Sequence, residues 1–181
     1  MTEVSDRYRT LAAQFTLRAT SVPDGAWDNP TPCDDWVARD IIRHMVETAG
    51  FFLGRAGIEI SAPSADDDPL GAWEATRDAI QSALEQPEIA TTAYDTPIGR
   101  QTFEQTMAIF GLGDVLVHTW DLARATGLDD TLDPDEVHRF LTAAEPMDEL
   151  IRQGTAFAAR VDVPVDADEQ TKLIAFTGRQ P

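Results

Sequence analysis

The chain has 181 residues, 43% of them hydrophobic, and its 32 acidic and 14 basic side chains give a net charge of −18. This length can bury one sizeable core and is short for two, so we expect a single domain over residues 1–181. The acidic charge is spread along the chain and would repel phosphate backbones and anionic membranes, so we expect neither nucleic acid nor membrane as a partner.

The sequence contains no pattern typical of a membrane-spanning or secretory segment. No stretch approaches the roughly 20 apolar residues of a membrane-spanning helix, and the first residues lack the basic and apolar regions of a secretory signal. The single cysteine, Cys33, excludes an internal disulfide. We therefore expect a soluble, cytoplasmic protein.

The amino-terminal part of the chain predicts two helices. Apolar residues at helical spacing over residues 5–19 are typical of an amphipathic first helix, and a proline-containing loop follows at residues 27–33. Asp34 and Asp35 then predict the start of a helix, because carboxylates accept hydrogen bonds from the unpaired N–H groups of the first turn. We expect the second helix over about residues 36–55.

His44 lies in the apolar stripe of that second helix, with Ile41 before it and Thr48 and Phe51 after it. A histidine in such a stripe is either a core residue bonded to a nearby oxygen or a ligand. A facing helix that carries further ligands would favour the second interpretation.

Next come a third helix and a turn-rich segment. Asp68 and Pro69 are typical of an N-cap and first helical residue, and Pro87 ends the apolar periodicity. Threonines, a tyrosine and Gly99 over residues 90–100 predict a short strand or hairpin. Its position directly before the fourth helix suggests a lid over a site there.

The fourth helix is the longest. Thr102 and Gln105 form a capping box at its start, and Gly127 closes it about 25 residues later. Gly111 and Gly113 weaken it by roughly 1 kcal/mol each relative to alanine, so we expect close approach of a neighbouring helix or ligand there.

The rest of the chain is also helical in pattern. Asp133 and Pro134 predict the start of a fifth helix that Pro146 must kink or divide, and residues 166–176 predict a short final helix. The fold class is therefore all-α, with a short hairpin near 90–100.

The most informative pair is Asp114 and His118, which share one face of the fourth helix because they lie four residues apart. A carboxylate and an imidazole in an otherwise apolar stripe are costly unless something satisfies both, as a metal cation does. His44 from a facing helix would complete a two-histidine, one-carboxylate site. Three such ligands suit Zn²⁺, Ni²⁺, Fe²⁺ or Mn²⁺ and leave positions for water or substrate. The alternative is a metal-free bundle in which Asp114 bonds a histidine.

Other polar residues have weaker claims. Asp121 could orient a ligand histidine or form a salt bridge to Arg124 or Arg39. A local basic pocket could include Arg39, Arg43 and Arg124.

Three further residue types are more simply structural. His138 fits a solvated position, and the acidic neighbours of Cys33 argue against a nucleophilic thiol. Trp36 and Trp120 fit the core better than a cofactor platform.

Three segments together carry a resemblance: Trp27 to His44, which includes Thr31-Pro-Cys-Asp-Asp-Trp36; Asp114 to Gly127; and the closing Thr177-Gly-Arg-Gln-Pro181. The chain resembles, over nearly its whole length, the actinobacterial family of DinB-like metalloproteins. That family is related to the metal-binding N-terminal domain of mycothiol-dependent maleylpyruvate isomerase.

The resemblance implies an up-down-down-up four-helix bundle with a divalent metal, usually zinc, near one end. His44 follows Trp36 and Asp40 at the spacing of the family's first ligand histidine, and Asp114 with His118 matches its Glu-x-x-x-His pair. Aspartate replaces glutamate here, so the shorter carboxylate would shift the metal or bind it through water. The isomerase has an additional C-terminal domain that the residues after Gly154 are too few to supply, so we do not expect its specific activity.

We therefore expect a metal-dependent enzyme in which a low-molecular-weight thiol, such as mycothiol, binds the open metal position and attacks a small electrophile, as a transferase or isomerase. The alternatives are a metal-dependent hydrolase and a non-catalytic metal-binding or stress-response module. An exposed apolar helix face could also pair two copies as a homodimer.

Overall fold

The computed structural model describes residues 2–96, 98–152 and 157–181. The chain is mostly helical with one two-stranded hairpin, which confirms the all-α prediction and the hairpin near 90–100. The elements are α1 (Glu3–Ser21), α2 (Ala38–Arg55), α3 (Pro69–Glu85), α4 (Pro87–Ala90), β1 (Ala93–Thr96), β2 (Gly99–Thr102), α5 (Phe103–Thr106), α6 (Leu112–Thr126), α7 (Pro134–Ala144), α8 (Asp148–Ile151) and α9 (Glu169–Phe176).

The four longest helices and helical segments pack side by side. Helix α1 contacts α3 and α6, and α2 contacts the same two helices from the other side. Their inward faces bury large side chains completely, among them Tyr8, Phe15, Ile41, Trp73 and Leu122. Each such side chain contributes about 1.5–3 kcal/mol, so this shared core fixes how α2 and α6 face each other.

The second helix begins later than predicted. Its first residue is Ala38, and Asp40, not Asp34 or Asp35, completes the cap by accepting a hydrogen bond from the Val37 N–H at 2.8 Å. Asp35 lies in a left-handed turn with φ 62°. The preceding backbone is held extended because Ala38 donates its N–H to Asn29 and Thr31 donates its N–H to Trp36.

The hairpin lies at the far end of α2. Its strands pair from Ala93 with Thr102 to Thr96 with Gly99, and Pro97 is outside the described residues. Arg55 donates to the Asp95 carbonyl oxygen at 2.7 Å and lies over the Tyr94 ring. Since Arg55 follows His44 by 11 residues, or about 16 Å along a helix, these contacts do not support the predicted lid.

A single long helix carries Asp114 and His118. The Thr102 and Gln105 capping box and the Gly127 C-cap are both confirmed, and a π-helical turn, Met107–Gly111, joins α5 to α6. The close approach at Gly113 is also confirmed, because a Cβ there would lie 2.4 Å from Phe140 of α7. At Gly111 the close neighbour is instead Met107, one turn earlier in the same helix.

The C-terminal segment returns to α6. Asp133 caps α7 as predicted, Pro146 lies in a 3₁₀ turn that ends it, and Asp168 caps a final helix, α9, that is shorter than expected. Helix α9 packs on α7, and Gly178, with φ 88°, reverses the chain after it. This reversal brings Arg179 back toward α6.

None of the helices in the described part of the chain is both long enough and apolar enough to cross a membrane.

Candidate metal centre

The structure brings the three predicted ligands together between α2 and α6. Asp114 Oδ1 lies 3.3 Å from His44 Nε2 and 3.4 Å from His118 Nε2. One ligand atom from each residue lies within 4.8 Å of the other two. The 3/4 periodicity of α6 therefore places Asp114 and His118 on one face, and the packing of α2 supplies His44 opposite them.

These separations are long for hydrogen bonds, and they also match the spacing of two ligands on one metal. N–H···O bonds centre near 2.9 Å, whereas two donors about 2.1 Å from a tetrahedral metal are separated by about 3.4 Å. The side chains of His44 and Asp114 are 31% and 24% exposed, so the triad is open on one side. Two neutral imidazoles and a carboxylate fit a divalent transition metal with at least one position left for another ligand.

The other ring nitrogen of His118, Nδ1, is hydrogen-bonded to Asp121. The Nδ1 atom lies 2.9 Å from Asp121 Oδ2, and Asp121 is completely buried. In the neutral ring this contact keeps the proton on Nδ1 and leaves the Nε2 lone pair facing Asp114. The predicted orienting role of Asp121 therefore has the required geometry.

Asp121 is itself held by Arg179, near the C-terminus. Arg179 Nε donates to Oδ1 at 2.7 Å and Nη2 donates to Oδ2 at 2.7 Å, so the contact is bidentate. Arg179 Nη2 also lies 3.3 Å from Cys33 Sγ. The predicted partners of Asp121, Arg124 and Arg39, are wrong, because helix spacing alone cannot reveal a partner 58 residues away.

The ionisation of the cluster follows from this network. Burial alone would raise the pKa of Asp114, but hydrogen bonds from His118 and His44 outweigh it and hold that pKa well below its usual range. Burial alone would lower the pKa of His118, yet Asp114, Asp121 and Cys33 raise it well above 6.5. Arg179 and His118 likewise keep the pKa of Asp121 low against its burial. Without a metal, a proton on His118 and the guanidinium of Arg179 together balance the charges of Asp114 and Asp121.

Trp36 forms an aromatic wall beside the triad. Its ring centroid lies 5.2 Å from that of His44 and 5.9 Å from that of His118, with the latter nearly parallel. Trp36 is only half-buried, whereas Trp120 is buried as predicted. Trp36 therefore restricts both imidazoles and shields them from one direction.

The remaining basic candidates lie in other contacts. Arg43 pairs with Asp40 and Asp66, and Arg39 pairs with Asp28 at 2.9 Å. Arg124 pairs with Asp130 at 3.2 Å and lies over the Trp120 ring. The predicted basic pocket is therefore wrong, because abundant surface carboxylates neutralise these arginines.

Two other expectations concern exposure. His138 is exposed and contacts Glu169 at 2.9 Å, as a solvated histidine should. Phe51, predicted in the apolar stripe with His44, is 63% exposed. The buried face of α2 is rotated away from it and instead contains Ile41, Ile42, Met45, Ala49 and Leu53.

A second group of ligand types, Cys33, His118 and Asp121, lies behind the first. Arg179 already occupies both oxygens of Asp121 and contacts Cys33, so its positive charge would repel a cation at that position. The electrostatics therefore favour the group of His44, Asp114 and His118.

Sequence reasoning missed Arg179. The only signal was the closing Thr177-Gly-Arg, which contributed to the family resemblance without a role attached to it. A buried aspartate on an apolar helix face requires a cationic or hydrogen-bonding partner, but the sequence did not indicate which arginine supplies it.

A small hollow adjoins Asp114. Asp114 is one of the residues that line this hollow, and the others are Met45, Thr48, Ala49, Phe52, Ile80, Met107, Gly111 and Val115. Its volume, about 10 Å³, is the space of about one water molecule. A larger hollow near α9 shares no residue with the triad, and the described residues that line it form no comparable group of ligands.

Comparison with known proteins identifies a family for the segment that contains this site. Residues 8–123, which include His44, Asp114 and His118, match the family described as mycothiol maleylpyruvate isomerase N-terminal domain. Two uncharacterized proteins from two strains of Mycobacterium tuberculosis are each 31% identical over 153 residues, which is 83% of this chain and 83% of theirs. No solved structure matches the chain significantly. The chain therefore belongs to this isomerase N-terminal domain family.

Proposed function

Because the chain belongs to the mycothiol maleylpyruvate isomerase N-terminal domain family, we propose that His44, Asp114 and His118 bind a divalent metal, most simply Zn²⁺. Ni²⁺, Fe²⁺ or Mn²⁺ would accept the same donors. We further propose that the protein is an enzyme that directs a low-molecular-weight thiol, of the mycothiol type, at a small electrophile. The reaction class is thiol transfer or isomerisation.

One observation carries this proposal: both histidines turn Nε2 toward the same oxygen of Asp114 at 3.3–3.4 Å. A divalent cation lowers the pKa of a thiol or water bound to it, which provides a nucleophile at neutral pH. The protein's own residues prepare the site: Asp121 orients His118, and Trp36 restricts both imidazoles.

The fold proposed with this function is a single DinB-like domain with an up-down-down-up bundle. Contacts between helix ends support the order. Arg18, late in α1, bonds the Asp129 and Thr131 carbonyl oxygens after α6, as parallel helices would allow. Asn29, before α2, bonds the carbonyl oxygen of Ala125 near the end of α6, as antiparallel helices would allow. Trp73, early in α3, bonds Thr16, late in α1, and Gln81, late in α3, bonds Ser5, early in α1, as antiparallel helices would allow.

The metal is tested by elemental analysis of the purified protein. We expect about one metal per chain in the wild type and loss of that metal in His44→Ala and His118→Ala. His138→Ala is the matched control, because this histidine is exposed and away from the triad. Metal absent from the wild type, or lost equally in the control, would overturn the proposal.

The thiol is tested by visible spectroscopy of the cobalt-substituted protein. We expect an added thiol to produce a sulfur-to-cobalt charge-transfer band that does not form with His118→Ala. A site that binds cobalt but ignores thiols would overturn thiol chemistry. Such a site would support the hydrolase if azide perturbs the cobalt spectrum, and a structural metal module if no added ligand does.

A further inference from the structure

The larger hollow near α9 shares no residue with the proposed metal centre and has a different lining. Its volume is about 250 Å³, the space of several water molecules. Most of the residues that line it are apolar, and the lining consists of Glu145, Arg160, Val161, Val163, Pro164, Val165, Lys172, Ala175 and Phe176. Sites for small molecules combine apolar walls with a few polar groups that fix orientation. The charged side chains of this hollow therefore decide what it can bind.

Lys172 differs from every other cationic side chain of the protein. It is the only lysine of the chain, which has 32 carboxylate side chains. Every arginine except Arg55 forms an ion pair with a carboxylate, and Arg55 bonds the Asp95 carbonyl oxygen. Among the described residues, none forms an ion pair or a hydrogen bond with the Lys172 ammonium group. A shortage of carboxylates cannot explain this absence.

The carboxylates nearest to Lys172 in the chain have other partners. Asp168, four residues earlier, accepts hydrogen bonds from Thr171, and Glu169, three residues earlier, contacts His138 at 2.9 Å. Lys172 is also partly buried. Lysine normally keeps its ammonium group in water, and burial of that group is costly unless it is paired. An anion in the hollow would supply the missing partner.

Arg160 provides a second cation in the lining, and it is held in place. Its Nε lies 3.2 Å from Asp148 Oδ2, and its guanidinium carbon lies 4.4 Å from the centroid of the Phe176 ring. A guanidinium has five N–H donors, so the contact with Asp148 leaves donors for a further acceptor. Glu145 also lines the hollow, but it is exposed and, within the described part of the chain, pairs with neither cation.

From these observations we propose that the hollow near α9 binds a small organic carboxylate with an apolar body. The carboxylate pairs with the Lys172 ammonium and accepts hydrogen bonds from Arg160, while the apolar body contacts the valines and Phe176. One unpaired ammonium group suits a monoanion better than a phosphate dianion in a protein with a net charge of −18. The site is separate from the proposed metal centre and does not depend on the proposed function.

The ligand class is tested by ¹⁹F NMR titration with two probes of similar size, 4-fluorobenzoate and 4-fluorobenzyl alcohol. We expect the benzoate to bind at least about tenfold more tightly than the alcohol, because hydrogen bonds between charged groups are the stronger ones. The net negative charge of the protein acts against this preference, so a general electrostatic effect cannot produce it. Equal binding, tighter binding of the alcohol or no binding of either probe would overturn the proposal.

The role of Lys172 is tested by substitution. Lys172→Met removes the charge and retains an unbranched side chain, so it should weaken benzoate binding by about tenfold and leave alcohol binding unchanged. Arg100→Met is the matched control, because it removes one positive charge from an exposed arginine of the hairpin. Equal weakening by the two variants would mean that only the total charge matters, and the proposal would be wrong.

Two further variants locate the bound benzoate. Val163→Phe should fill the hollow and weaken binding of both probes, and it should fold because Val163 is half-buried and lies outside the helices. His44→Ala disrupts the proposed metal centre and should leave benzoate binding unchanged. Benzoate binding that is lost in His44→Ala but retained in Lys172→Met would place the anion at the metal centre and overturn the proposal. Benzoate binding at Lys172 in a protein without metal would leave this site intact while the proposed function fails.

Discussion

The two sides of the His118 ring are built differently. On the Nε2 side, His44 and Asp114 are partly exposed and lie at 3.3–3.4 Å separations. On the Nδ1 side, Asp121 is completely buried and makes contacts of 2.7–2.9 Å to His118 and Arg179. The Nδ1 side is already saturated with hydrogen bonds. On the Nε2 side, the potential metal-ligand atoms of His44, Asp114 and His118 lie close together. A rigid support behind an open set of ligands is what a metal site requires.

The largest effect on stability is expected from a substitution on the saturated Nδ1 side of His118. Asp121→Ala would leave the guanidinium of Arg179, whose side chain is 11% exposed, without its carboxylate. Removing one partner of a buried ion pair costs about 3–5 kcal/mol. We expect that decrease in the free energy of unfolding of the metal-free protein, measured with urea.

Asp114→Ala is the matched control on the open side, and it should cost much less stability while abolishing metal binding. Equal losses of stability would contradict the distinction between the two sides.

The second prediction is that a substitution on the Nδ1 side of His118 weakens metal binding on the Nε2 side. Arg179→Met should lower metal affinity by about 10–100-fold, because Asp121 would no longer be held and would orient His118 less well. The measurement is competition with a chelator of known affinity. Arg179→Lys should recover part of the loss, since lysine retains the charge but not the bidentate contact. Arg124→Met, an arginine nearby that pairs with Asp130, should leave the affinity unchanged.

A proton and a metal should compete for His118 Nε2. The stability of the metal-free protein and the metal affinity should therefore depend on pH in opposite directions. The pKa of His118 is raised well above 6.5 in the folded, metal-free protein. Its contribution to stability is therefore complete below about pH 6.5 and is lost as the pH rises through the folded pKa. Metal affinity should rise over the same range, because the proton must leave before Nε2 can bind.

Urea unfolding of the wild type and of His118→Gln from pH 6 to pH 9, beside metal titrations, checks both dependences. A wild-type advantage that grows with pH would contradict the assigned proton.

The smallest expected effect decides between the two ligand groups. Cys33 Sγ lies 3.5 Å from Asp121 Oδ2 and 3.3 Å from Arg179 Nη2. Cys33→Ser should change stability by about 1 kcal/mol or less and leave metal affinity unchanged. Cobalt bound to the wild type without added thiol should show no sulfur charge-transfer band. Such a band, absent from Cys33→Ser, would place the metal on the saturated side instead.

Much of the local structure was predictable from short segments. The capping box of Thr102 and Gln105, the Asp68 cap and the Gly127 terminus follow from hydrogen bonds within a few residues, and the structure confirms each of them. Asp114 and His118 share a face because helical geometry alone requires it. The start of α2 was predicted wrongly, since contacts of Asn29 and Thr31 outweighed the local preference of Asp34 and Asp35.

The residue pattern made His44 a candidate partner of the pair on α6, and the family resemblance strengthened that prediction because His44 follows Trp36 and Asp40 at the family's spacing. That these three residues hold a metal remains a prediction, although the structure brings them together. The position of His44 depends on how α2 packs on α6, which no spacing within either helix specifies.

By itself, the sequence determined most of the helices and their caps, and the pairing of Asp114 with His118, since each depends on interactions within a few residues. Tertiary structure alone decided that Arg179 supports Asp121, that Trp36 covers both imidazoles and that Phe51 faces outward. These depend on the packing of elements distant along the chain, where many similar arginines and aromatic residues could have filled the same roles. The physical reason is that burial and electrostatic complementarity select partners only after the chain has folded.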